Sequence, residues 1–181
     1  MKKMIIGLIG IMGVLLFTAQ GTISHPQQVL EAFVEGRSTQ EVVSLLEDSK
    51  VGGDVLAKAF PDRIELHNEE NVLNLNVEAF YVSIAPYLHE THPCTIHNFP
   101  GCQAELVNED VYVQITDNEG IVYFDGIQQT YQNGFMGFWL PKDKTYSIQL
   151  AVGDYSGNYT FSTFSNDPTC LTEFKLERLM V

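Results

Sequence analysis

The chain has 181 residues, 45% of them hydrophobic, which allows one domain with a real core or two small ones. Lysine and arginine number 10 against 23 aspartates and glutamates, a formal charge of −13. That balance argues against nucleic acid or an anionic membrane surface as a partner, since either would repel the chain.

Residues 1–21 read as an export signal. Lys2 and Lys3 supply the positive end, and an apolar run follows from Met4 to Ala19. The run is short for a bilayer span. Ala19-Gln20-Gly21 offers small residues at a cleavage point, so cleavage is expected after Gly21, leaving an exported chain free of the membrane. No cysteine follows the run to carry a lipid. Outside the cytoplasm thiols tend toward disulfides. Cys94, Cys102 and Cys170 cannot all pair within one chain, and this odd count is the first sign of metal chemistry.

After the leader, Pro26 suits the first turn of a helix, and Val29, Leu30, Phe33 and Val34 share one face up to Gly36. Ser38-Thr39-Gln40-Glu41 reads as a capping box that opens a second helix with Val42, Val43, Leu45 and Leu46 on its apolar face. Gly52-Gly53 breaks it, and a third helical turn is expected over 54–60, stopped by Pro61. This unit is too small for its own core and should dock on the rest or pair with a second copy. From Arg63 the pattern changes to alternation: Ile64 and Leu66, then Leu73, Leu75 and Val77, then the apolar run Phe80 to Ala85. Strands are expected at 105–107, 111–116, 121–124, 137–140, 145–152, 159–164 and 171–179, with Gly, Asp and Pro turns between. Strands this short at such spacing predict an antiparallel sandwich. The fold class is α+β: a signal at 1–21, a mainly helical region at 22–70, and an antiparallel β-sandwich metal-binding domain at 71–181.

The chemistry concentrates in His89-Glu90-Thr91-His92-Pro93-Cys94-Thr95-Ile96-His97-Asn98-Phe99-Pro100-Gly101-Cys102, with Cys170 far downstream after Asp167-Pro168. Pro93, Pro100 and Gly101 exclude a continuous helix, so Cys94 and Cys102 lie on a folded loop. Cys102 and Cys170 are each expected to begin a strand and to face each other. Thiolates select Cu(I) or Zn(II) over hard ions, and two or three sulfurs with an imidazole suit either metal. His97, between the cysteines, is the leading imidazole; His92 and His89 are secondary candidates, and His25 and His67 have no expected role. Met136 is a thioether candidate, with an apolar plug as the plainer reading. A Cys94–Cys102 disulfide tying the loop, with Cys170 as a small buried apolar residue, is the plain alternative.

Phe80-Tyr81-Val82-Ser83-Ile84-Ala85-Pro86-Tyr87, then Thr91-His92-Pro93-Cys94, His97 and Cys102-Gln103, and finally Asp167-Pro168-Thr169-Cys170-Leu171 resemble the CueP family of periplasmic copper-binding proteins. The resemblance runs from about residue 24 to 179. It implies a periplasmic protein that binds Cu(I) through Cys94, Cys102 and Cys170, reduces Cu(II), supplies a periplasmic superoxide dismutase, and dimerises through its N-terminal region. Gln103-Ala104-Glu105 departs from the Gln-Gly-Glu expected there, which concerns the backbone and leaves the ligands alone. The resulting expectation places Cys102 and Cys170 as core ligands, Cys94 as third ligand or exchange thiol, and His97 assisting, with Zn(II) as a possible substitute.

Two other classes compete. A thiol-disulfide oxidoreductase would use Cys94 and Cys102, but C-x-x-C and a βαβ pattern are absent. A disulfide-stapled binding module would use Tyr81, Tyr87, Trp139 and Tyr155. No hydrolase signature is present.

Overall fold

The computed structural model describes residues 25–48, 55–69, 71–99 and 101–179. The expected leader, its cleavage point and the Gly52-Gly53 break lie outside them. Helix α1 (His25–Val34) is followed by α2 (Thr39–Glu47). The capping box forms as expected: Ser38 Oγ accepts from Glu41 N–H at 3.3 Å, and Ser38 N–H donates to Glu41 Oε2 at 2.7 Å. Val42, Val43 and Leu46 are buried on the inner face of α2, and so is Glu47.

Residues 56–59 form a strand where a helical turn was expected. Strand β1 (Leu56–Ala59) alternates, with Ala57 and Ala59 buried and Leu56 and Lys58 outward. Alanine and leucine favour helix in isolation. Here the hairpin partner decides: β1 pairs antiparallel with β2 (Arg63–Asn68) from Leu56↔His67 to Ala59↔Ile64, and β2 pairs with β3 (Asn71–Asn76). The helices and this small sheet close a common core of Leu30, Val42, Val43, Leu46, Ile64 and Leu66.

Strand β4 (Phe80–Ile84) is buried at every position. Side chains of a strand point alternately to its two faces, so a strand covered on both reads as a continuous apolar run. Phe80, Val82 and Ile84 enter the sandwich core, whereas Tyr81 joins the core beneath the helices, stacked on Phe99 and tilted against Trp139. The N-terminal unit thus docks on the back of β4. The remaining strands are β5 (His97–Asn98), β6 (Asp110–Asp117), β7 (Val122–Gln129), β8 (Met136–Leu140), β9 (Thr145–Val152), β10 (Tyr155–Ser162), β11 (Cys170–Leu171) and β12 (Glu177–Arg178). They complete three sheets, in the orders β3-β2-β1-β5, β12-β10-β9-β6-β7 and β11-β4-β8. The five-stranded and three-stranded sheets face each other across Val111, Val113, Ile115, Ile148, Leu150 and Phe138. All pairings between named strands are antiparallel except β11 with β4. The architecture is therefore α+β, helices first and a sandwich-like set of sheets after.

Two strand expectations change. Residues 105–107 form no strand; the Glu105 side chain accepts the backbone N–H groups of Leu88, His89 and Glu90. Cys102 accordingly begins no strand; it closes a turn through its N–H to Asn98 O at 2.8 Å. The run 171–179 is split between β11 and β12, which belong to different sheets. Among the described residues, no helix is long and apolar enough to cross a membrane.

Candidate metal centre

Backbone pairing brings three distant segments together. Cys170 opens β11, in parallel register with Ser83 of β4. His97 opens β5, opposite Ala59 at the edge of β1. Thr169, fully buried, ties both to the loop. Its Oγ1 donates to Ala59 O at 2.6 Å and accepts from His97 N–H at 3.1 Å, while its own N–H donates to Thr95 O at 2.9 Å. The Asp-Pro-Thr-Cys segment is thus the clasp between the cysteine loop and the N-terminal sheet.

All three cysteines meet. Cys94 and Cys170 are joined as a disulfide across 76 residues, so the plain alternative of a Cys94–Cys102 bridge is not the one formed. Cys102 is the free thiol, its Sγ 3.7 Å from Cys94 Sγ and 3.4 Å from the donating N–H of Asn98. Two groups of potential ligand atoms lie within 4.8 Å of one another: His97, Cys102 and Cys170, all buried, and His92, Cys94 and Cys102, of which only Cys102 is buried. Cys102 belongs to both groups. The disulfide withholds one thiolate from each.

His97 is wholly buried, packed against Phe99 and Phe135 at ring distances of 4.9 and 4.8 Å. Its Nε2 lies 3.1 Å from Glu47 Oε1, close enough for an ion pair, but neither ring nitrogen has an aligned hydrogen-bond partner in the protein. A ring held protonated beside Glu47 must give up a proton before it can bind a metal ion. Glu47 is equally buried and fully engaged: Oε1 accepts from Tyr81 Oη at 2.5 Å and Ser83 Oγ at 3.0 Å, and Oε2 from Asn133 Nδ2 at 2.7 Å. Two glycines make room for this network. Gly134, at φ +81°, lies where a Cβ would strike the backbone of Ala104, and a Cβ on Gly137 would strike the Tyr81 ring.

The electrostatics follow from the packing. Burial pulls the His97 pKa down, but the Glu47 charge and the Cys102 thiol outweigh it and hold the ring at about 9. Burial pushes the Glu47 carboxyl up; His97, with the Tyr81 and Asn133 donors, reverses that and leaves it below the ordinary value. Burial likewise raises Cys102, while His97 and the Asn98 N–H bring it below an ordinary thiol. Tyr81, raised well above its usual value by burial and by Glu47, stays a neutral donor. The result is a carboxylate–imidazole–thiol series whose thiol end adjoins the other sulfurs.

Of the residues singled out in sequence, Cys94, His97, Cys102 and Cys170 come together, and His92 joins them at the edge. His89 is exposed and outside both groups. His67 pairs with Glu65 at 2.7 Å on β2. Met136 is fully buried in the sandwich core, an apolar plug and not a ligand. Tyr81, a candidate for the surface of a binding module, is core. Glu47 and Asn133 belonged to no motif, and Thr169, inside the Asp-Pro-Thr-Cys run, had no role assigned to it. Only Glu47 left a trace: it sits four residues after Val43, on the apolar face of α2, where a carboxylate requires a buried partner.

The sequence model of a family described as "Periplasmic copper-binding protein CueP" matches residues 41–175, well over half of the chain. A solved structure, the crystal structure of S.CueP, superposes with a TM-score of 0.79 at 28% identity, covering 86% of this chain and 98% of that one. No curated protein matches.

Proposed function

The chain belongs to the CueP family of periplasmic copper-binding proteins, and from that premise we propose that it holds Cu(I) through Cys102 and Cys170, with Cys94 as third or exchange thiolate and His97 assisting. The observation that carries this reading is the convergence of three sulfurs and a buried imidazole whose nitrogens have no aligned partner. Soft thiolates favour Cu(I), and a metal–sulfur bond of about 2.3 Å, the zinc value, requires sulfurs roughly 4 Å apart in a trigonal set. The 3.7 Å between Cys94 and Cys102 is of that order. Zinc would be a substitute in the same ligands.

The same thiolates serve as electron donors. Two Cu(II) ions each take one electron while the Cys94 and Cys170 thiolates join as a disulfide, giving two Cu(I) and leaving Cys102 and His97 as ligands. The Cys94–Cys170 bond seen in the structure is the bond such a step would form. A Cu(I)-specific chromophore should count two Cu(I) per disulfide formed under anaerobic conditions. Copper would pass onward by ligand exchange to a periplasmic copper enzyme such as a superoxide dismutase, tested by activation of the copper-free enzyme. In this reading residues 1–21 direct export, 22–70 carry a homodimer contact measurable by sedimentation, and 71–181 carry the metal.

The deciding test is anaerobic titration of the reduced mature protein with Cu(I) against a chromogenic competitor, repeated on Cys102→Ser and Cys170→Ser. One tight equivalent, lost in both variants, is expected. No competition by the unaltered protein would overturn the reading.

A further inference from the structure

The two edges of the large sheet are unequal. One is β12, two residues long. The other is β7, eight residues long, paired with β6 on one side and with no strand on the other. Such an edge presents backbone N–H and C=O groups as a template for another strand, and proteins commonly blunt it with lysine, proline, a bulge or a covering segment. From Gly120 to Gly134 there is no lysine, arginine or proline. The bulge between β6 and β7 falls at Tyr123, since Ile115 pairs with Phe124 and Thr116 with Val122; Phe124 to Gln129 stay in regular register.

The side chains along this edge are apolar or uncharged. Ile127 is 62% exposed, more than any other large apolar side chain among the described residues, and Ile121 and Val122 are about half exposed beside it. Single exposed apolar residues are ordinary, but three along one unpaired edge mark a contact surface. Asp125 is the only charged residue between Gly120 and Gly134. Its carboxylate is turned onto β6, where it accepts from Tyr112 Oη at 2.9 Å and Gln114 Nε2 at 3.1 Å. On the inner face Phe124 packs against Phe138 at a ring distance of 5.2 Å, which fixes the strand from behind. A cationic peptide would meet a single, already engaged carboxylate here. The edge that matches β7 in charge and polarity is β7 itself.

We infer that β7 pairs antiparallel with β7 of a second copy of the chain, about a two-fold axis at Ile127, joining the two five-stranded sheets edge to edge. Asp125, Ile127 and Gln129 share the solvent face, opposite Gln114, Tyr112 and Asp110 of β6. An axis at Ile127 sets Ile127 against its copy, Gly126 against Gln128, and each Asp125 beside the Gln129 amide of the other chain. An axis at Asp125 would set like charges directly opposite, which is destabilising. An axis at Gly126 would set Asp125 against Ile127. One strand from each copy makes a small contact, so the association is weak and depends on concentration. It is separate from the contact proposed for residues 22–70.

The test is amide hydrogen exchange and sedimentation of the oxidised mature protein at about 10 μM and about 1 mM, a range that brackets a weak contact. Ile127→Lys and Gln149→Lys are measured alongside. Gln149 is exposed on the same solvent face but on the central strand β9, so it controls for added charge. At the higher concentration the amides of residues 122–129 should exchange about threefold or more slowly than at the lower. The sedimenting mass should be at least about twice that of Ile127→Lys, whether or not residues 22–70 also pair, with Gln149→Lys matching the unaltered protein. Exchange in β7 that does not depend on concentration, read on the unaltered protein, overturns the inference even if the variant fails to fold. So does a mass equal to that of Ile127→Lys, or an equal loss of mass in Gln149→Lys, which would make the association a matter of overall charge.

Discussion

Glu47 is the residue on which the buried half of the site depends. It is a fully buried carboxylate facing four donor groups: Tyr81, Ser83, Asn133 and His97. Removing one partner of a buried charged pair costs more than the pair contributes, because the other is left without compensation. Glu47→Gln replaces one acceptor oxygen with an NH2 group, so that donor faces donor. The expected loss is roughly 3–5 kcal/mol, read by urea unfolding of the reduced metal-free protein. A loss below about 0.5 kcal/mol, the range of an ordinary surface change, would mean that the network is not formed. Cys94, His97, Cys102 and Cys170, which the fold brings together, could be singled out in sequence because sulfur and imidazole have few plain uses outside a core. Glu47 was not, since a glutamate beside Leu46 becomes informative only once α2 is known to turn that face inward.

At the scale of elements, the site depends on edges. β5 is two residues long and has no sequence pattern; it exists because β1 leaves a free edge and Thr169 holds it there. The pairing of β1 with β2 explains why the helical expectation at 54–60 fails, whereas β4 and β9, with long apolar or alternating runs, were readable. Thr169→Val keeps the shape and deletes both side-chain bonds, to Ala59 O and from His97 N–H. Each buried backbone group left unpaired costs about 1–3 kcal/mol. The variant should therefore lose about 2 kcal/mol or more by urea unfolding, and amide exchange should rise first at residues 95–99. Unchanged protection there would show that Thr169 is not the clasp. Far from the site, the turn after β6 is held by Asp117. Its carboxylate accepts from Lys144 Nζ at 2.6 Å, from Tyr123 Oη at 3.1 Å, and from the N–H groups of Glu119 and Ile121. These contacts, Lys144 first, lower its pKa to about 2 from 3.8. A carboxyl depressed on folding adds stability above its unfolded pKa, and that stability is lost as pH falls through the folded value. Between pH 4 and 2 the melting temperature should fall less steeply in Asp117→Asn than in the unaltered protein; parallel slopes would place the acid sensitivity elsewhere.

At the scale of the whole molecule, the disulfide and the metal are alternatives. The Cys94–Cys170 bond spans 76 residues, and on the chain-entropy account a closed loop of that length restrains the unfolded chain by about 4.5 kcal/mol. The same bond takes a thiolate from both ligand groups, so the oxidised chain cannot offer copper two sulfurs from either. Reduction removes the restraint and completes the groups at once. A bound ion then returns stability by mass action, about 4 kcal/mol at a free concentration a thousand times its dissociation constant. Reduced metal-free protein should consequently be the least stable of the three forms, with oxidised protein and reduced Cu(I)-loaded protein both melting well above it. Cu(I) should raise the melting temperature of the reduced form strongly and that of the oxidised form little. Anaerobic calorimetry on the four combinations of redox state and copper decides this. An equal Cu(I) shift in both redox states would mean that neither Cys94 nor Cys170 binds the ion, leaving Cys102 and the histidines as its only holders.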